Sequence, residues 1–106
     1  MFKAQEYTYR VFWSREDNAF IATVAEFPSL SGVGDTQSEA LDGIVEVVRF
    51  VLTDMVNSRE IIPAPLNARN YSGNIRLRMP KEQHRRVAIE AAEQGVSINQ
   101  LLVSRI

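Results

Sequence analysis

The stretch Gly73-Asn74-Ile75-Arg76-Leu77-Arg78-Met79-Pro80 alternates apolar with polar side chains, the period of a strand with two unlike faces. Ile75, Leu77 and Met79 form the apolar face and Asn74, Arg76 and Arg78 the polar one. Everything after it reads as helix. Pro80 is expected as the first helical residue, where its missing N–H costs nothing, and Glu82 suits the positive end of the helix. His84, Val87, Ala88, Ala91 and Ala92 share one face, with His84 expected to be half-buried and structural, and Gly95 supplies a left-handed stop. Ser97-Ile98-Asn99-Gln100 is a capping box that opens a last helix with Ile98, Leu101, Leu102 and Ile106 on its apolar side. A lone strand has unpaired N–H and C=O groups on both edges, and roughly 36 residues bury too little apolar surface to offset chain entropy. The economical solution is antiparallel pairing with the same strand of a second chain. Ile75, Leu77, Met79, Val87 and Leu101 then form a shared dimer core, with assembly to a tetramer left open.

Such a ribbon fits the DNA major groove and would present Asn74, Arg76 and Arg78 twice about a two-fold axis. Arginine can bond guanine O6 and N7 bidentately, and asparagine adenine N6 and N7, which makes these three the candidate base readers. Ser97 and Asn99 at the start of the last helix, with Lys81 and Arg85, are candidates for phosphate contacts. The charge distribution agrees. Residues 1–70 hold 6 Lys+Arg against 10 Asp+Glu, a balance of −4, and residues 71–106 hold 6 against 3, a balance of +3, within a chain of formal charge −1. A basic end on an acidic body suits a molecule that meets a polyanion at one end only.

Upstream, Tyr7-Thr8-Tyr9-Arg10-Val11-Phe12-Trp13 and Phe20-Ile21-Ala22-Thr23-Val24 flank the polar turn Ser14 to Asn18 and read as a β-hairpin. Ser31 to Gly34 leaves room for a short third strand. Thr36-Gln37-Ser38-Glu39 is a capping box, and Leu41, Ile44, Val45, Val48, Leu52, Met55 and Val56 come after it at helical spacing, a stripe about 20 residues or roughly 30 Å long. Ile61-Ile62 is expected as a last short strand. The two prolines of Pro63-Ala64-Pro65-Leu66-Asn67-Ala68-Arg69-Asn70 exclude regular helix and central strand from that segment. The expected division is a ββ(β)αβ domain over 1–62, a linker over 63–72 and a strand-helix-helix unit over 73–106, an α+β fold.

Other chemistry finds little footing. The chain has no cysteine and one histidine, so neither a disulfide nor a Cys or His metal site is expected, and no cofactor. No apolar run approaches the roughly 20 residues of a membrane span, and Met1-Phe2-Lys3 does not begin a signal peptide, so a cytoplasmic protein is expected. Two-metal nuclease chemistry would need carboxylates converging on a pair of cations. Glu16, Asp17, Glu26, Asp35 and Glu39 show no such spacing, and Asp35 and Glu39 sit at a helix start where capping accounts for them. No catalytic residue is assigned.

The string NIRLRMPKEQHRRVAIEAAEQGVSINQLL resembles the ribbon-helix-helix module of the Arc and MetJ type, in the version found at the C-terminus of HicB antitoxins. FIATVAEFPSL, GDTQSEAL and IPAP resemble the N-terminal HicB domain, a partial ribonuclease H-like fold. The resemblance implies an antitoxin that neutralises a HicA-like mRNA-cleaving toxin with its N-terminal domain and represses its operon with the C-terminal one. It also implies that Asn74, Arg76 and Arg78 read bases of operator double-stranded DNA, and that Ser97 and Asn99 bind phosphate. A free-standing ribbon-helix-helix regulator without a toxin partner is the rival reading.

Overall fold

A computed structural model describes all 106 residues. It is an α+β chain of two compact units, Met1–Tyr71 and Ser72–Ile106.

In the first unit, strands β1 (Tyr9–Ser14), β2 (Ala19–Val24) and β3 (Ser31–Gly34) form an antiparallel sheet in the order β1-β2-β3. Tyr9 pairs with Val24 and Ser14 with Ala19, and Asn18 closes the hairpin with φ of 49°. Helix α1 (Gln37–Asn57) covers one face. Thr36 caps it by accepting from the Glu39 N–H at 3.1 Å, as the sequence suggests. The reciprocal bond falls one residue early, because the Glu39 carboxylate accepts from the Asp35 N–H at 2.9 Å.

Contact between α1 and the sheet runs along Ala40, Ile44, Val48 and Leu52, one residue per turn, with Val45, Val51 and Met55 packed beside them. Leu41 and Val56, expected in this stripe, lie on the exposed flanks. The stripe is centred by β3, whose two glycines admit the helix backbone: a Cβ on Gly32 would stand 2.6 Å from the Ala40 carbonyl oxygen, and one on Gly34 2.6 Å from the Ala40 nitrogen. Three strands then leave both flanks of the helix uncovered.

No strand forms at Ile61-Ile62, so the unit is βββα rather than ββ(β)αβ. Ile61 is 94% exposed, and Ile62 packs against the core as irregular chain. The proline-rich segment beyond Ile62 is fastened to the same unit. Pro65 is fully buried, the Tyr7 hydroxyl donates to the Pro63 carbonyl at 2.8 Å, and the Glu26 carboxylate accepts from the Leu66 N–H at 2.9 Å. Tyr71 turns back to donate to the Leu66 carbonyl at 2.8 Å.

The second unit holds α2 (Lys81–Gln94) and α3 (Ile98–Ser104). Pro80 precedes α2 as its cap, with φ −57° and ψ 146°, not as its first helical residue; its carbonyl accepts the first helical bond, from His84 N–H at 3.0 Å. Gly95 ends α2 with φ of 70°, and Ser97 and Gln100 form the reciprocal capping box of α3 at 3.0 and 2.9 Å.

Candidate nucleic-acid interface

At the start of the second unit Gly73 takes a φ of 80°, and the Ser72 hydroxyl accepts from the Asn74 N–H at 3.0 Å. From Ile75 to Pro80 the chain belongs to neither helix nor sheet. A strand is defined by the neighbour that completes its ladder, and one copy of this segment has no neighbour within its own chain. The alternation therefore stands in the open: Ile75 is 87% and Leu77 61% exposed, and Asn74, Arg76 and Arg78 are exposed beside them. Met79 alone of the three apolar residues is partly covered.

The helices behind the segment have little of their own to bury. Ala91 and Leu101 are the buried residues of the unit, Val87, Ala88, Ile98 and Leu102 are half-buried, and Val103 and Ile106 are exposed. His84 is exposed, which corrects the half-buried role expected for it; the contact between α2 and α3 lies around Ala91, two turns further along, and nothing in the chain covers the first turn. An ion pair between Arg105 and Glu90 ties the end of α3 back to α2.

Neither Arg76 nor Arg78 has a carboxylate partner, and Lys81 is likewise unpaired and exposed. Arg85 lies 3.6 Å from Glu82 one turn away, an exposed pair too weak to withhold it from another anion. Ser97 is committed as an acceptor to the Gln100 N–H, while Asn99 is exposed in the first turn of α3. The fold thus gathers Asn74, Arg76, Arg78, Lys81 and Arg85 on one continuous exposed segment and the helix start that adjoins it.

Three of the carboxylates considered for metal chemistry are engaged elsewhere: Asp17 accepts from the Ser14 hydroxyl at 2.9 Å in the hairpin turn, Glu39 serves the cap of α1, and Glu26 forms an anchorage that local pattern does not reveal. Glu26 accepts from the Thr8 N–H and hydroxyl, both at 3.0 Å, and from Leu66 N–H. Partial burial pushes its carboxyl up, but the bonds from the Leu66 and Thr8 amides and the Thr8 hydroxyl outweigh this and hold it below its ordinary 4.5. Burial, and then the charges of Glu26 and Glu6, push the Tyr7 phenol up, and its hydroxyl donates to the Pro63 carbonyl.

No helix is long and apolar enough to cross a membrane. Residues 59–106 match the model of the HicB family, a little under half of the chain. That family is one of antitoxins, and the match points to a toxin-antitoxin-related role. No curated protein and no solved structure matches the chain.

Proposed function

We propose that the chain is a two-part antitoxin: its C-terminal unit forms a ribbon-helix-helix dimer that represses an operon, and its N-terminal unit binds a HicA-like mRNA-cleaving toxin. The observation that carries the reading is the exposure of Ile75 and Leu77 on an unpaired alternating segment. Two apolar side chains left in water forgo roughly 1.5–3 kcal/mol each relative to burial. Pairing with the same segment of a second copy completes the ladder and buries both. The opposite face then brings Asn74, Arg76 and Arg78 of both copies to the base edges of operator DNA, with Lys81, Arg85, Ser97 and Asn99 toward the phosphates. The HicB match over 59–106 supports the same assignment.

Arg76→Ala tests it. In a gel-shift titration against operator DNA at fixed salt, the variant should bind about 1–3 kcal/mol more weakly and lose base preference at defined operator positions, with its melting curve unchanged. Retention of both affinity and preference would contradict base reading by this residue.

One observation favours the rival reading of a free-standing regulator: the family match begins at Arg59 and leaves residues 1–58 outside it. Co-purification of the full chain with the product of an adjacent reading frame, a short basic protein, separates the two. A partner that purifies with the chain and loses its RNA cleavage supports the antitoxin; a chain that purifies without one supports the regulator.

A further inference from the structure

Helix α1 has a second apolar strip besides the one packed on the sheet. Gly43, Val47 and Phe50 succeed one another at four and three residues, on the flank of the helix that faces solvent. Phe50 is 74% exposed and Val47 37%, and a Cβ on Gly43 would meet nothing within 4 Å. Glu46 and Asp54 stand one turn to either side of Phe50, the first in an exposed pair with Arg49 and the second without a partner. The whole helix carries four carboxylates against one guanidinium, most of the surplus negative charge of its unit.

Two of these choices work against the helix itself. Asp54 lies near the negative end of the macrodipole, where a cation would stabilise and where the last turn has none. An exposed phenylalanine in a helix surface gains nothing from the sheet on the other side. Local rules broken together at one place mark a surface used for something other than folding.

We propose that this strip is a docking surface for a basic protein, one that buries Phe50 against an apolar patch and sets cations against Asp54 and Glu46. The inference rests on the antitoxin reading for the existence of a partner and adds to it the face and the residues by which the partner is held. The charge decides the occupant. Nucleic acid and anionic lipid surfaces are repelled by the same carboxylates. A second copy meeting this face about a two-fold axis would set Asp54 and Glu46 against themselves. The basic segment of this chain is already assigned to DNA. A foreign cationic surface gains from both the apolar centre and the acidic rim, the usual division between anchor and edge in an interface.

The test uses the full chain in its own cells, with a benzoylphenylalanine photo-crosslinker placed at position 50 in one variant and at position 33, on the opposite side of the sheet, in another. The position 50 probe is expected to form an adduct with one protein of positive net charge, identified by mass spectrometry. Binding of that purified protein to the full chain should weaken at least tenfold with Phe50→Ala and with Asp54→Lys, while both variants melt no lower than the parent and bind operator DNA as before. Capture by the position 33 probe alone, or undiminished binding by Asp54→Lys, overturns the surface and leaves the antitoxin reading standing. Capture of no basic protein by either probe overturns the surface, and the co-purification above decides the antitoxin reading separately. Adducts only with a second copy replace the foreign partner by self-association and overturn the proposal.

Discussion

Glu26 shows how much of this molecule hangs on one side chain. Its carboxylate gathers three donors from two distant places in the chain, Thr8 at the start of the sheet and Leu66 in the proline-rich exit. Glu26→Ala removes the acceptor and leaves the Thr8 and Leu66 amides to find water, at a cost of about 1–3 kcal/mol. Hydrogen exchange should locate the loss, with protection at Leu66 falling while that of β2 stays; unchanged protection at Leu66 would show that the anchorage lies elsewhere. The pH dependence has a definite sign. A carboxyl held below its ordinary 4.5 contributes its stability fully above that value and loses it as pH falls through the lower folded-state value. Protection at Leu66 should therefore decline from about pH 4.5 downward, and the decline should vanish in Glu26→Ala.

Helix α1 packs on β3 backbone against backbone at Gly32 and Gly34. Gly32→Ala would drive a methyl group to 2.6 Å from the Ala40 carbonyl oxygen and 2.8 Å from the Ile44 nitrogen, both backbone atoms that cannot turn aside. Overpacking of this kind costs about 1–3 kcal/mol, which for a unit of this size lowers the melting temperature by about 4–8 °C per kcal/mol. A thermal melt followed by circular dichroism reads it, and an unshifted melt would mean that the helix rides higher than described. The helices were legible where their signals are local: Thr36 and Ser97 each cap an amide three residues on, and Gly95 stops α2 by its own φ. The breadth of the α1 stripe was not legible, since a period of 3.6 gives its direction while its width depends on how many strands lie beneath, and so Leu41 and Val56 fell outside it. Ile61-Ile62 shows the same gap, for β-branched residues fit a strand in general, yet here Ile62 is drawn onto the core as irregular chain and Ile61 is left in water. Prolines 63 and 65 rule out a ladder but not order, and the anchorage by Tyr7 and Glu26 comes from residues too distant in sequence to be read as a pattern.

For the molecule as a whole, the decisive feature is a segment that is complete in pattern and incomplete in partners. Ile75 and Leu77 stand in water, Ala91 and Leu101 are all that the second unit buries, and Arg76 and Arg78 are unpaired. Period two sets Asn74, Arg76 and Arg78 on one face of any ladder the segment joins, which is why the sequence singles them out; the exposure of Phe50 could not be read the same way, because it lies off the stripe that the periodicity picks out. Leu77→Asp sets a charge at the centre of the proposed shared core and should dissolve the pairing without touching the first unit. Sedimentation equilibrium of the full chain, with operator binding measured on the same samples, puts this to the test. A species of about 24 kDa, twice the 12.0 kDa chain, that Leu77→Asp reduces to one chain with loss of DNA binding is the expected result. A parent chain that sediments at 12.0 kDa and still binds its operator would contradict it.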